Sequence, residues 1–305
     1  AAYNTDNVNA PIAWLWRNVV SPAPPPLTSI PAGIVTLSIT ERVGTLLLLR
    51  AREVGLEGSI PRDERAELSR FYSNALRHTL RLLDAAEQLG VALSMHGIEC
   101  VLLKGAAHVL TVYRNPAARP MKDVDLLVRR DAFRDAIRIA RDLGFSIAEP
   151  RKPGSDFTDS VLLRRGEVLI DLHERFTHRL TRDPDLHPFF ARAVVAEPSG
   201  GGRDALRVFA PEDAAFHSIL HIVHHGFSMR LIAFADLARI LATPMFRWEL
   251  LHEELARFGV SGIAEVVLAV LERNLGIPFA KKRSKGIQAA IVAALVSRIV
   301  SRETG

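Results

Sequence analysis

The chain has 305 residues, of which 48% are hydrophobic and 24% are charged, a balance typical of a folded globular protein with one large domain or two modest ones. Its 39 lysines and arginines against 34 acids give a formal charge of +5, spread along the chain. This excess slightly favours anionic ligands and predicts no groove for a long nucleic acid. The longest apolar runs are shorter than the roughly 18 residues that a transmembrane helix needs, so we expect no membrane partner.

Cysteine usage and the first residues bear on the compartment. Cys100 is the single cysteine, which excludes a disulfide within the chain and favours the reducing cytoplasm. The early residues show no basic flank followed by an apolar block, so we expect no signal peptide.

The first ninety residues predict an arm followed by helices. Residues 1 to 34 are rich in proline, and the run SPAPPPLTSIPAG predicts an extended Pro-rich arm without helix or ladder hydrogen bonds. Within this arm, Trp14 and Trp16 could dock on the body of the protein or on another chain. Over residues 35 to 90, apolar positions recur at spacings of three and four, which predicts amphipathic helices from Ser38 to Ala51 and from Pro61 to Leu89.

Residues 91 to 200 predict a compact α+β core. A turn at His96 and Gly97 leads into a short buried strand, Glu99 to Leu103, and AAHVLTVY is helical. DVDLLV predicts a second strand, RDAFRDAIRIARDLGF a helix that ends at Gly144, and DSVLLRRGEVLIDLHERF two strands around a tight turn at Arg165 and Gly166.

Residues 201 to 305 predict a C-terminal helical domain. Helices are expected near 211–226, 229–242, 246–258, 260–275 and 286–301. Pro211, followed by Glu212 and Asp213, is a good helix start, because proline lacks the donor that the first turn leaves unused and acids suit the positive helix end. The predicted fold class is therefore α+β, with a small mixed β-sheet flanked by N-terminal helices and a C-terminal helical bundle.

The strand acids are the strongest functional indication. Residues two apart on a strand face the same way, so Asp123 and Asp125 should share one face, where two ionised carboxylates repel unless a cation lies between them. Alternation in EVLIDLHER places Asp171 and His173 on the polar face of another strand. Three acids on one sheet face can hold two divalent ions, and Mg²⁺ is the ion expected, with Mn²⁺ as the alternative. His173 would touch the second metal or the base, or else cap the sheet.

Phosphate contacts are predicted upstream of the acids. In LLKG a strand ends and a helix opens, so Gly105 would let a phosphate approach the backbone while Lys104 adds a point charge. Arg114 and Arg119, in the loop before the acids, are candidate contacts to the β and γ phosphates, and Lys122 leads into the acid strand.

These motifs resemble those of a known superfamily. A strand, a glycine at a helix start, Asp-x-Asp on the next strand and one Asp on a later strand are similar to the DNA polymerase β type nucleotidyltransferases. More narrowly, GIECVLLKGAAHVL, RPMKDVDLLV, VLIDLH and LHIVHHGF…LIAFADLARIL resemble the uncharacterised bacterial nucleotidyltransferases termed the nucleotidyltransferase 5 family, over about Phe71 to Leu241.

The resemblance implies roles for particular residues. Gly105 would be the phosphate-loop glycine, Asp123 and Asp125 the metal pair, and Asp171 the third acid and general base. The chain departs from the superfamily's common Gly-Ser because Ala106 follows Gly105, and its interval from Gly105 to Asp123 is longer than usual.

A histidine group forms a second candidate site. In FHSILHIVHHGF, the spacing of His217, His221 and His224 places them on one helix face with His225 beside them, a pattern that can ligate zinc or iron but also suits partnered core histidines. Asp236, on the following apolar helix, would pair with a histidine or arginine, or bind the acceptor.

The predicted function is transfer of a nucleoside monophosphate from an NTP donor to a hydroxyl or phosphate of a small-molecule or peptide acceptor, with release of pyrophosphate. Two alternatives remain open at this point. One is a non-catalytic accessory module of a biosynthetic complex, and the other is a metal-dependent phosphohydrolase that uses the His217–His225 cluster. The sequence leaves the acceptor, the nucleotide base and the oligomeric state open.

Overall fold

Residues 10–148, 160–175, 185–196 and 206–277 are described by a computed structural model, and the chain divides into two units. The sheet unit is Ser73–His217. The helical unit is Ala1–Tyr72 with Ser218–Gly305, and its described residues are helices and their connections.

One seven-stranded sheet organises the sheet unit. Its strands are β1 (Cys100–Leu103), β2 (Val124–Val128), β3 (Ser146–Ile147), β4 (Ser160–Arg165), β5 (Val168–His173), β6 (Val194–Val195) and β7 (Arg207–Val208). Their order is β3-β4-β5-β2-β1-β7-β6, with β2–β5 and β1–β7 parallel and the other pairs antiparallel. The predicted mixed sheet is confirmed, although β3, β6 and β7 were not predicted because two residues are too few to show an alternating pattern.

Helices cover the central strands. These helices are α4 (Arg62–Met95), which begins in the helical unit, α5 (Lys104–His108), which continues as a π-helical turn over Val109–Tyr113, α6 (Phe133–Asp142) and α7 (His187–Arg192). All residues of β1 and β2 are buried, and apolar side chains of α4 and α6 join them in one core. Continuous apolar runs are what strands covered on both faces require.

Glycines set two of the turns in this unit. Gly144, after α6, has φ +85°, and Gly166, in the β4–β5 turn, has φ +60°, both in the left-handed region that glycine adopts without strain. The β4–β5 turn lies at Gly166 and Glu167, one residue later than predicted, because Arg165 is still paired with Val168.

The helix α8 (Pro211–His224) begins at the predicted proline and continues into the helical unit. Its first turn is fixed by a buried ion pair, in which Arg192 donates from Nε and Nη2 to the two carboxylate oxygens of Asp213 at 2.9 and 2.8 Å. Asp213 is fully buried, so this bidentate pairing offsets the cost of burying its charge.

Besides the second half of α8, the described residues of the helical unit include further helices. They are α1 (Ala10–Leu15) with a π-helical turn over Trp16–Val20, α2 (Ile34–Thr40), α3 (Gly44–Glu53), the start of α4, α9 (Leu231–Leu241), α10 (Trp248–Arg257) and α11 (Ser261–Leu275). The helices predicted near 229–242, 246–258 and 260–275 are thus present, and the one near 286–301 lies outside the described residues. In the described ranges, no helix is both long and apolar enough to span a bilayer.

Two predictions in the helical unit were wrong. Residues 10–20 of the predicted extended arm are helical, because Ile12, Leu15 and Trp16 form a buried apolar face and the Trp16 ring lies 5.1 Å from that of Phe234. The helix predicted from Ser38 to Ala51 is two helices, α2 and α3.

The break between α2 and α3 has a tertiary cause. Arg42 adopts φ +59° there, and Glu41 turns toward the start of α9, where its carboxylate accepts a hydrogen bond from the backbone N–H of Leu231 at 2.9 Å. A carboxylate at a helix N-terminus satisfies an amide that has no partner within the helix.

Candidate active site

The acids meet at the centre of the sheet. In the parallel β2–β5 ladder, Asp125 stands opposite Asp171, and in the antiparallel β1–β2 ladder it stands opposite Leu103, the residue before Lys104. Asp123 directly precedes β2 and is half-buried. Asp125 itself is 8% exposed, so its charge must be compensated within the protein.

His173 joins the two strands. It lies two residues beyond Asp171 on β5 and therefore faces the same side of the sheet. Its Nε2 is 3.0 Å from Asp125 Oδ1 and 3.1 Å from Asp171 Oδ2, so the Nε2–H is shared between the two carboxylates. One ligand atom from each of these three side chains lies within 4.8 Å of the other two.

The carboxylates of Asp125 and Asp171 are stabilised in the charged form. Burial alone would raise the pKa of Asp125, but the positive charge of Lys104 and the hydrogen bond from His173 hold it well below its usual range. Burial would likewise raise the pKa of Asp171, but hydrogen bonds from His173 and Ser160 and the charge of His173 lower it. A carboxylate with a lowered pKa is a good metal ligand but a weak base. This favours metal binding for Asp171 over the general-base role that the resemblance implies.

The pKa values of Asp123 and His173 are raised, whereas those of Asp125 and Asp171 are lowered. Burial and then the negative charge of Asp125 raise the pKa of Asp123, although Lys104 and Arg119 partly offset this. Burial would lower the pKa of His173, but its hydrogen bonds to Asp125 and Asp171 raise it to about 8. The positive charges of Lys104, Arg119 and His173 therefore do not fully offset the burial and mutual repulsion of the three acids, because the charged form of Asp123 is still disfavoured.

Lys104 lies in an unexpected contact. Its backbone has φ +48°, where a residue other than glycine costs about 1 kcal/mol. This turn from β1 into α5 brings Nζ into an ion pair with Asp125 Oδ1, the oxygen that His173 also contacts. Lys104 was predicted to seat phosphate, whereas here its ammonium binds a strand acid.

Gly105 provides room for an arginine. A Cβ at this position would lie 3.0 Å from Arg119 Nη1, 3.2 Å from Arg119 Cζ and 3.4 Å from Met121 Cβ. Arg119 Nη1 also donates to the carbonyl of Pro120 at 2.9 Å. The absence of a side chain at Gly105 therefore lets a guanidinium approach the backbone beside the acids.

The other predicted phosphate contacts lie at the surface. Arg114 is exposed with φ +50°, and its Nε donates to the Thr111 carbonyl at 3.4 Å. Lys122 is exposed, and its carbonyl lies 3.3 Å from Nε2 of His78.

The predicted histidine cluster is divided between the two units. His217 is buried in the sheet unit, with its ring 6.4 Å from that of Phe209. His221 and His224 belong to the helical unit, where their rings lie 4.6 and 5.0 Å from that of His225. Among the residues that the structure describes, these histidines do not form a group with metal-ligand spacing. Asp236, also predicted as an acceptor contact, is buried on α9 of the helical unit.

Ser160 is a site residue that the sequence analysis missed. It begins β4 opposite His173, and its side chain hydrogen-bonds Asp171. Counting back from the predicted turn at Arg165 and Gly166 would place Ser160 opposite Asp171 rather than His173, but in either register Ser160 lies beside the two site residues of β5.

The donor set fits a divalent cation. Carboxylate oxygens from Asp125 and Asp171 converge. Burial and then the negative charge of Asp125 raise the pKa of Asp123, and a cation between the acids would relieve this repulsion. Because the Nε2–H of His173 is donated to both carboxylates, this nitrogen could ligate a metal only after losing that proton, and the oxygens of the acids are the donors at hand.

Comparison with known proteins identifies the family. The model of a family described as uncharacterised nucleotidyltransferase matches residues 31–276, most of the chain. The chain belongs to this family. It is a nucleotidyltransferase enzyme, and the expectation drawn from its motifs is confirmed. Among curated proteins, none matches the sequence significantly.

Solved structures with a similar fold include two of the antibiotic-resistance factor ANT(2″)-Ia. The match to its solution structure has 14% sequence identity and a TM-score of 0.41, and it covers 63% of this chain and 95% of the ANT(2″)-Ia chain. Its crystal structure with adenylyl-2″-tobramycin is also 14% identical, covers 63% and 97%, and gives 0.35. An antigenic nucleotidyltransferase-like protein from Paracoccidioides brasiliensis is 15% identical, covers 71% and 92%, and gives 0.39.

Proposed function

We propose that this nucleotidyltransferase uses Mg²⁺ to transfer a nucleoside monophosphate from an NTP to a hydroxyl or phosphate of a small-molecule or peptide acceptor. An acceptor oxygen forms a bond to the α-phosphorus, the bond from that phosphorus to the oxygen bridging to the β-phosphate breaks, and pyrophosphate leaves. A hydroxyl acceptor also loses a proton. The observation that carries the proposal is the pairing of Asp125 with Asp171 across two central strands, with Asp123 beside them.

Asp123, Asp125 and Asp171 would hold the metal, with two ions expected and Mn²⁺ as the alternative. When bound, the ions neutralise the triphosphate and acidify the acceptor hydroxyl. The fixed geometry of the acids comes from the protein, since the β2–β5 ladder sets the backbone and the shared hydrogen bond from His173 sets both carboxylates.

The cations around the acids would bind the triphosphate. Lys104, which pairs with Asp125, and Arg119, packed on Gly105, are the candidate phosphate contacts beside the acids, and Arg114 and Lys122 are surface candidates. Placing preorganised positive charge around the departing pyrophosphate is the main way in which proteins accelerate phosphoryl transfer. Since the pKa of Asp171 is lowered, we assign it to metal binding first and to proton removal second.

The charge and composition of the chain support a class of acceptor. The excess of +5 is spread along the chain and aromatic residues make up 7%, which supports a small molecule or peptide over a long nucleic acid. The single cysteine, buried and unpaired with another cysteine, agrees with a reducing cytoplasm.

The first experiment identifies the donor. The four NTPs are screened for Mg²⁺-dependent thermal stabilisation, and the best one, labelled at the α-phosphate, is incubated with hydroxyl-bearing small molecules, peptides and tRNA. We expect label transfer to one acceptor class by the wild type and by Asp142→Asn, an exposed acid on α6, and none by Asp125→Asn. Transfer at the wild-type rate by Asp125→Asn would refute the proposal.

The two alternatives predicted from the sequence have less support. An accessory module needs no metal ligands, yet the acids here are held in register by adjacent strands. A phosphohydrolase built on His217–His225 needs three or more ligand atoms at metal-binding spacing, and among the described residues these histidines do not form such a group.

A further inference from the structure

The ammonium of Lys104 occupies the carboxylate that a metal ion would need. Nζ pairs with Asp125 Oδ1, and the side chains of Lys104 and Asp125 are 23% and 10% exposed. His173 contacts the same oxygen at 3.0 Å. A divalent ion that binds Asp125 must therefore compete with a cation supplied by the chain itself.

We propose that Lys104 is a tethered cation that holds Asp125 in the absence of metal, yields it to the divalent ion, and then binds the triphosphate. The inference rests on the proposed function and deepens it, because it assigns Lys104 two successive anionic partners. A nucleoside triphosphate is the ligand class, since its polyphosphate supplies a new anion for the ammonium once Asp125 has bound the metal.

The chemistry of lysine suits this exchange. Its ammonium is a compact charge on a flexible stem with rotatable donors, so it can move between neighbouring anions without a fixed geometry. Lys104 is also part of the strained left-handed turn between β1 and α5, and strained residues persist where the surrounding structure over-determines them, often at functional sites. Its partial exposure leaves the side chain a way out toward solvent.

The arrangement makes metal and nucleotide binding interdependent. A metal ion alone would displace Lys104 and bring no new anion, since Asp123, the other acid that the charge of Lys104 reaches, would itself hold metal. A metal ion that arrives with a triphosphate supplies a new anion. Each ligand should therefore strengthen the binding of the other by the same factor, as thermodynamic linkage requires. Free metal would bind weakly, and the metal–nucleotide complex would bind well.

Lysine NMR tests the exchange directly, because the chain has six lysines. In protein labelled with ¹⁵N-lysine and freed of metal by EDTA, the Nζ signal of Lys104 is assigned by its loss in Lys104→Arg. We expect this signal to shift on addition of Mg²⁺ and to shift again with a non-hydrolysable NTP analogue. A Lys104 signal that stays unchanged while Mg²⁺ stabilises the protein through Asp125 would overturn the inference.

Metal affinity provides a second measurement. Free Mn²⁺ is counted by electron paramagnetic resonance with Lys104→Met, which removes the charge, and Lys104→Arg, which keeps it. We expect Lys104→Met to bind Mn²⁺ alone about tenfold more tightly than Lys104→Arg and to bind the metal–nucleotide analogue about tenfold more weakly than the wild type. Equal or weaker Mn²⁺ binding by folded Lys104→Met contradicts the inference.

The controls separate two kinds of failure. If wild-type protein binds metal and nucleotide, and Asp125→Asn does not, while Lys104 is unresponsive, the tethered-cation inference alone is wrong. If the wild type binds neither ligand, the proposed function is wrong and the inference is wrong with it.

Discussion

Two neighbouring acids should have opposite effects on stability when their charges are removed. Asp123 has a raised pKa because burial and Asp125 disfavour its charged form, whereas Asp125 has a lowered pKa because Lys104 and His173 favour its charged form. Asp123→Asn should therefore leave the metal-free protein as stable as before or slightly more stable. Asp125→Asn should destabilise it, because two cationic partners lose their anion.

The size of the loss follows from the contacts. Unit charges at the 3.0 Å that separates His173 Nε2 from Asp125 Oδ1 attract by about 5 kcal/mol at an effective dielectric constant of about 20, before desolvation is counted. Removing one partner of a buried pair typically costs about 3 to 5 kcal/mol. Asparagine can still accept a hydrogen bond and Lys104 is partly exposed, so we expect about 3 kcal/mol for Asp125→Asn and about 0.5 kcal/mol or less for Asp123→Asn.

The assay is urea unfolding in EDTA at pH 7, followed by far-ultraviolet circular dichroism, with hydrogen exchange of β2 and β5 peptides to assign the transition to the sheet unit. Both variants should lose nucleotidyl transfer, so stability separates the two acids where activity does not. Equal stability of the two variants, or a more stable Asp125→Asn, would refute the electrostatic argument.

Three further predictions concern single residues. His173 has a folded pKa of about 8 against an ordinary 6.5, so in EDTA it should contribute up to about 2 kcal/mol that is fully present below pH 6.5 and lost as the pH rises through 8. The urea midpoint of the wild type should fall more between pH 6 and pH 9 than that of His173→Gln, and equal falls would contradict this. Cys100 is 3% exposed, and burial raises the pKa of its thiol to about 12. Iodoacetamide at pH 8 should therefore leave this thiol unmodified in the native protein and alkylate it in urea-unfolded protein. Rapid alkylation of Cys100 in the native protein would contradict this. Gly105→Ala would place a methyl group 3.0 Å from Arg119 Nη1. Because that guanidinium can move aside, we expect a loss of only about 1 kcal/mol in the free energy of unfolding, but at least tenfold weaker NTP binding by calorimetry. Unchanged NTP affinity would show that Arg119 is not a phosphate contact.

The face that Asp171 and His173 share could be predicted from the sequence because it depends on local rules. Period-two alternation put Asp171 and His173 on one face of their strand, and the apolar run after Asp125 identified the neighbouring strand. What alternation does not give is which strands are adjacent, and the parallel β2–β5 ladder is a property of the whole sheet.

Contacts made by long side chains and by distant elements could not be predicted in this way. The ion pair of Lys104 depends on a left-handed backbone conformation that lysine rarely adopts, so propensity argues against it. The break between α2 and α3 depends on Glu41 meeting Leu231, which is 190 positions away in the sequence. In both cases tertiary packing overrides a local preference.

The parallel pairing of β2 with β5 also determines when a growing chain can first bind a cation. Forty-eight positions separate Asp125 from His173, and the hairpin that carries Asp171 and His173 must be completed and added to β2 before either residue is in place. Closing so long a loop is slow compared with forming the antiparallel β1–β2 pair. A nascent chain that has emerged from the ribosome only as far as β4 therefore lacks Asp171 and His173, and the proposed metal site is complete only after β5 has paired with β2.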